Sequence, residues 1–391
     1  ISREAEENRR IQISREAEEN RRIQISREAE ENRRIQISRE AEKNPRIRNR
    51  RKKVRGSKAG MRKIWKKIVA CFAILTIVLS GPIGCSQPKT ISDMIVQSTE
   101  VLQKELKNEE KNEGNIQPGS PTKDWTEMVC GLAGTGKDSK NYLEELEQSI
   151  VRQYAKKGNL SEVKATEYHR AALTILSLGG NPEKVGADGE QINLIADGTW
   201  EFPGGSPGLQ GANGLIYALL TLDSKDYTTP DAGTRAQYVK ELLTYQKDSG
   251  AFCIDNSLDG DVDITAMALQ ALAPYRKEEK AEDAVNRAMK WLEEQEKEGK
   301  VTGEEGSAES VAQVILALCA LGEDPEQAEA FSTEDHNLLD SLEEYRLKNG
   351  MYTHEFNEKK ENIMATYQAV LALEAVEKLR NEQQWIFDFT K

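Results

Sequence analysis

Two carboxylates one residue apart, Asp261 and Asp263, stand at the start of an apolar run that ends at Tyr275. At a helix N-terminus such a pair has two uses. The carboxylates can cap the helix, accepting from the unpaired N–H groups of its first turn and complementing its dipole. If burial or a neighbouring like charge raises one pKa, that carboxyl stays protonated near neutral pH and serves as a general acid. Capping is the expected role of both. Asp263, with Asp261 beside it, is the best candidate for proton chemistry. The stretch also offers oxygens to a cation. Asp255, Ser257, Asp259, Asp261 and Asp263, with Gly260 among them, copy the alternate-residue spacing of a helix–loop–helix calcium loop. Its twelfth position is Ala266, where a bidentate Glu belongs, so this is a weak calcium candidate beside the plainer reading of a solvated acidic turn. Trp125, Tyr168, His169, Tyr217, Glu309 and Tyr367 occupy comparable places in other apolar segments and, with Asp263, are candidates to line a cleft. For His169 the stronger expectation is a hydrogen-bonded core histidine. Cys130 and Cys319 lie in apolar segments and read as small buried hydrophobes.

The elements that must position these residues follow a two-stroke pattern. A charged segment with apolar residues on one face is followed by a segment apolar on nearly every side. The one-faced segments are 91–107, 141–157, 235–246, 281–295 and 335–347, with a weaker element within 189–202. The apolar ones are 126–134, 166–180, 211–222, 264–275, 309–322 and 362–376. Ala266, Ala312 and Ala365 align as equivalents, as does Gly214, so the repeat is 46–53 residues long. Helix pairs of that length form an open solenoid or a closed ring. All-round apolarity of the second helix favours the ring, in which inner helices touch protein on every side. Links recur too: Tyr245-Gln246 before Gly250-Ala251-Phe252, Gln295 before Gly299, and Asn349-Gly350-Met351-Tyr352. Glycine supplies the turn, and the aromatic plugs the space between outer and inner layers.

QKDSGAF with DVDITAMALQALAPY resembles the repeat of terpene cyclases and protein prenyltransferases, as do SESVAQVILALCALGEDP, which reads GSAESVAQVILALCALGEDP here, and MATYQAVLALEAV. It is closest to secreted bacterial members that are also similar to the toroid of intrinsic factor and transcobalamin. The resemblance covers about 91–378 and implies an all-α fold, an (α/α)6 toroid of six helical hairpins with an N-terminal signal or anchor helix. It is not specific for activity. In the cyclases, an Asp-x-Asp-Asp-Thr motif supplies the acid from its middle Asp. Asp263 matches that acid and Asp261 the first Asp, but Ile264 replaces the third, and aromatic residues are only 6% of the chain. The prenyltransferases hold zinc through Asp, Cys and His. Cys253, Asp255 and His354 lack that order. No cofactor is assigned; cobalamin capture calls for a second domain closing over the toroid, which is not expected here.

Residues 1–36 are three identical copies of ISREAEENRRIQ, and a decayed fourth fills 37–48. Such identity is foreign to a packed repeat array, and 1–60 reads as upstream repetitive sequence ahead of a start at Met61. MRKIWKK and the 13-residue apolar run Ile68–Ser80 lead to GPIGC, ending at Cys85. The run is shorter than the roughly 20 residues of a membrane span. The stretch 61–85 resembles a lipoprotein signal with lipidation at Cys85, although Pro82 stands where Leu, Val or Ile is usual. Residues 86–122 form a tether around one helix, and the toroid covers 91–391. Residues 1–85 hold 23 Lys+Arg and 11 Asp+Glu, which leaves a charge of −24 on the rest of a chain of net −12. An acidic body excludes nucleic acid as partner, since phosphate binding needs a basic footprint.

The expectation is an exported bacterial lipoprotein, anchored by lipid at the outer face of the membrane, whose ring takes a ligand or partner in its central cleft without catalysis. The alternatives are a cyclase- or prenyltransferase-like enzyme with Asp263 as acid, and a glycan-active or structural surface protein. Cavity shape separates them. A narrow aromatic tunnel holding Asp263 favours cyclisation, a wide polar groove favours a glycan, and a shallow end favours contact with a protein.

Overall fold

The computed structural model describes residues 90–390 apart from 114–115, 136–138, 187–190, 304, 334 and 383. The repeats, the signal-like segment and Cys85 lie outside the described residues. Among the described residues are twelve α-helices: α1 (Ile91–Glu113), α2 (Pro121–Leu132), α3 (Ser139–Lys157), α4 (Thr166–Ser177), α5 (Leu194–Gly198), α6 (Gly211–Asp223), α7 (Thr234–Leu242), α8 (Val262–Leu272), α9 (Glu279–Lys297), α10 (Ala308–Leu321), α11 (Leu338–Glu343) and α12 (Ile363–Glu382). None is long and apolar enough to cross a membrane.

Even-numbered helices form the inner wall. Each packs on the next, and α12 returns to α2, so the wall closes on itself. Odd-numbered helices stand outside, each against its inner neighbour, and α1 bridges α12 and α2 across the seam. The fold is therefore an all-α toroid of six helical hairpins. The apolar pattern explains which helix goes where. Nearly every side chain of α10 is buried, whereas α9 buries Ala281, Ala284, Val285, Ala288 and Leu292 on one face.

The hairpin links repeat in atomic detail. In the link before α8, Phe252 N donates to Thr265 Oγ1 (2.9 Å) and Cys253 N to Tyr245 O (3.1 Å). In the link before α12, Tyr352 N donates to Thr366 Oγ1 (2.9 Å) and Thr353 N to Tyr345 O (3.0 Å). Phe252 and Tyr352 are buried between the layers, as their positions predict. Gly250 and Gly350 take φ of 99° and 102°, the left-handed region that suits glycine. Gly250 abuts Arg287 of α9, the next outer helix, and Gly350 abuts Gln97 of α1. The first outer helix thus meets the last hairpin as each outer helix meets the hairpin before it. These bonds also correct one register. Thr265 and Thr366 are equivalent, which sets Tyr367, not Ala365, level with Ala266.

All six inner helices begin at one end of the ring. Arg170 Nε of α4 donates to Asp124 Oδ2 of α2 (2.8 Å), and Thr166 N donates to Gln210 Oε1 before α6 (3.1 Å). Ala212 N donates to Ile254 O (3.0 Å), Ser310 of α10 hydrogen-bonds Asp263 of α8, and Ala308 N donates to His354 O ahead of α12 (3.2 Å). At the other end the chain's own tail runs across the ring. It leaves α12, buries Ile386 and Phe387, and reaches Ser224 after α6, where Phe389 N donates to the Ser224 carbonyl (2.6 Å). Helix α6 stands opposite α12, so the tail spans the full width of that end.

Candidate functional site

The other end, where the inner helices begin, is a mouth that no described segment crosses. Asp261 caps α8, its Oδ1 accepting from Ile264 N (3.0 Å). That is the expected capping role. Asp263, one residue into the helix, does something else. It accepts from Ser310 across the α8–α10 contact, and its Oδ1 has no partner. Burial, then the Asp261 and Glu309 charges, push its carboxyl up to about 6, while Ser310 and His354 pull it back. Glu309 holds the corresponding place on α10 and is only 3% exposed. Its Oε2 meets His354 Nδ1 at 2.9 Å, and its Oε1 has no partner. Two adjacent inner helices therefore each present one buried carboxylate oxygen without a hydrogen bond. An orphan of this kind is costly unless something else meets it.

Below the mouth the axis is filled. Trp125 of α2 stacks on Tyr367 of α12 (centroids 6.1 Å apart, planes at 14°) and lies against Tyr217 of α6 (5.9 Å, 57°). Helices α2 and α6 are separated by α4, so a contact between them crosses the axis. The three rings stand five to seven residues into their helices, about 7–10 Å below the rim at 1.5 Å per residue. On the opposite wall a chain of amides links three helices. Gln270 Nε2 donates to Gln313 Oε1 (2.8 Å), and Gln313 Nε2 donates to Gln368 Oε1 (2.9 Å). The mouth thus has an aromatic trio beneath its rim and two acidic side chains, Asp263 and Glu309, at the start of its wall.

Of the residues named from the sequence, Asp263, Glu309, Trp125, Tyr217 and Tyr367 are gathered at this end of the ring. Tyr168 and His169 do not. Tyr168 is fully buried, edge-on to Phe202, and its hydroxyl donates to Ser161 O (2.8 Å) and accepts from Leu160 N and Ser161 N. His169 is turned to α5, with Nε2 donating to Gly198 O (2.6 Å). Burial lowers its pKa to about 4, against the Gly198 bond, so it is a neutral core histidine. Helix α4 sends Arg170 to the mouth-end network instead, where it pairs with the buried Asp124, Glu167 (2.5 Å) and Gly119 O (2.8 Å).

The calcium loop is not formed. Asp255 Oδ1 accepts from Ser257 N and Oγ (2.8 and 2.5 Å), Asp261 caps α8, and Asp263 turns to Ser310. The zinc trio is not assembled either, because Cys253 is buried with Sγ on Tyr245 O (3.2 Å) while His354 pairs with Glu309. Among the described residues no group of three or more His, Cys, Asp or Glu side chains is placed to hold a metal ion. Ser310 is the mouth residue that the sequence did not single out. Its signal is the Ser307-x-x-Ser310 spacing, in which Ser307 caps α10 by accepting from Ser310 N (3.1 Å) while the Ser310 hydroxyl bonds both Ser307 Oγ (3.0 Å) and Asp263 of α8.

No family model and no curated protein matches this chain. Among solved structures, it is similar to Candida albicans protein geranylgeranyltransferase-I complexed with GGPP, with 12% identity over 76% of this chain and 96% of that one and a TM-score of 0.48.

Proposed function

We propose that this protein is an exported, lipid-anchored bacterial lipoprotein whose toroid is a binding module and not an enzyme. The ligand or partner enters at the mouth where the inner helices begin. The observation that carries this reading is the pair of unpartnered oxygens, Asp263 Oδ1 and Glu309 Oε1, buried on adjacent inner helices at the mouth end. An end whose axis is filled by aromatic rings within two turns of the rim suits contact with a partner better than it suits a reaction sealed from water. Export rests on the signal-like 61–85 and on Cys85 as lipid acceptor. A second reading keeps Asp263 as a general acid, since a carboxyl held up to about 6 is suited to giving a proton near neutral pH.

The test has two arms. Fatty-acid labelling of cells expressing the full chain should mark the wild type and not Cys85→Ala; equal labelling removes the anchor. Native mass spectrometry of the detergent-extracted protein should show a bound species that Glu309→Gln releases. If no species is found, or if Asp263→Asn abolishes turnover of a prenyl diphosphate, the non-catalytic binding reading fails.

A further inference from the structure

Six of the eight large apolar side chains that stand exposed among the described residues lie on one end of the ring. Val163 precedes α4, Leu209 precedes α6, Ile254 and Leu258 precede α8, and Phe356 and Met364 flank the start of α12; they are between 40% and 59% exposed. Scattered singly such residues need no explanation, but a ring of them around a polar mouth marks a contact surface. Its charge is one-sided. Residues 254–263 carry four Asp and no Lys or Arg, and residues 354–364 carry three Glu against two Lys. At the same end stand Asp263 and Glu309, each with one buried oxygen that has no partner, and Trp125 and Tyr367 stack on each other about a turn further into their helices.

An orphan carboxylate in a buried wall selects a donor that brings positive charge. Aromatic faces select the same, since their quadrupole attracts ammonium and guanidinium groups. A metal ion is disfavoured, because among the described residues no three ligand side chains converge. The apolar rim asks for a ligand with nonpolar groups on either side of its cation. An anionic lipid surface is disfavoured by the acidic rim, and a second copy of this acidic body is disfavoured by like charge.

We infer that the mouth receives a Lys or Arg side chain from a partner polypeptide, with the apolar residues flanking that cation lying on the rim. The inference rests on the mouth being the binding end and names what binds there. The cation sits between Asp263 and Glu309, which keep their bonds to Ser310 and His354. Leu258 and Phe356 contact the flanking side chains.

The experiment titrates the full-length protein with three capped peptides: SLFKLFS, its central-glutamine counterpart SLFQLFS, and SSSKSSS. Binding is read by calorimetry and by the fluorescence of Trp125, assigned with Trp125→Phe. SLFKLFS should bind at least tenfold more tightly than either control. Glu309→Gln should collapse the preference for lysine over glutamine, and Leu258→Ser with Phe356→Ser should weaken both apolar peptides by the same factor. Circular dichroism and urea midpoints near those of the wild type keep misfolding out of the comparison. Equal affinity for lysine and glutamine, an unchanged preference in Glu309→Gln, or no binding of any peptide at millimolar concentration overturns the inference. If no peptide binds while native mass spectrometry still shows a species released by Glu309→Gln, the polypeptide identity fails and the mouth stands as a binding site.

Discussion

Asp263 and His169 place opposite demands on the same pH range. The folded Asp263 carboxyl titrates at about 6 against 3.8 for a free one, so between those values the native state holds more protons than the unfolded chain. Stability from this group is present at low pH and lost as pH rises through about 6. His169 is held down to about 4 from 6.5, so its contribution is present above 6.5 and lost as pH falls toward 4. Each slope masks the other in the wild type. Asp263→Asn removes one of them. The variant should match the wild type at pH 4, gain about 1–3 kcal/mol at pH 7, and show stability rising steadily between the two in urea unfolding. A gain that is the same at both pH values would mean that Asp263 is ionised throughout. Two of the residues first taken as cleft-lining, Tyr168 and His169, were misplaced for a physical reason. Helix α4 is apolar on all sides, and periodicity cannot tell the axis side of such a helix from the outer side. The calcium spacing misled similarly, because it counts oxygens along the chain and ignores where they point.

At the scale of the element, the hairpin link is the unit that repeats. Thr265 and Thr366 each satisfy a buried N–H of the preceding aromatic and bond back to the carbonyl that caps their helix, at 2.6 Å in both cases. Thr265→Val and Thr366→Val keep the shape and orphan that N–H. Both should lose about 1–3 kcal/mol, and the two losses should agree within error in paired melts; a cost in only one would mean that the links are not equivalent. The glycines of the same links should differ. A Cβ on Gly250 would stand 2.4 Å from the Arg287 carbonyl, which is backbone, whereas on Gly350 it would meet the flexible Gln97 Cγ at 3.1 Å. Both carry the left-handed penalty, so Gly350→Ala should unfold at lower denaturant than the wild type and Gly250→Ala lower still. Alternation of helix types and the glycine–aromatic links were readable from sequence because they are local. The level of α12 was misread because matching alanines is weaker than matching caps, and Asn362, Asp261 and Ser307 are the caps that fix it.

For the whole molecule, the two ends of the ring are unlike, and that asymmetry gives the function its direction. The sequence contains the ring closure only implicitly, as a first outer helix able to serve the last hairpin through Gln97 and Ser98, whose Oγ donates to Gly350 O at 2.8 Å. It gives no periodic sign of the tail, since Trp385–Phe389 is too short for a helical pattern. In the folded ring that segment closes the end opposite the mouth. Ile386 and Phe387 are each 3% exposed, Trp385 packs edge-on to Phe387 (5.6 Å), and Lys378 Nζ holds the carbonyls of Ile386 and Asp388 (3.4 and 3.2 Å). Burial of two such side chains contributes about 3–6 kcal/mol, a large share of the stability of an ordinary domain. Replacing both, Ile386→Ala with Phe387→Ala, should lower the urea midpoint and expose the inner helices at that end to an apolar dye. The mouth lies at the opposite end of the inner helices. If the tail is a cover and has no part in binding, the affinity of the folded variant for the lysine peptide should stay within twofold of the wild type. A loss of affinity with unchanged stability would instead place the tail in the binding function and transfer the active end of the ring to the side it covers.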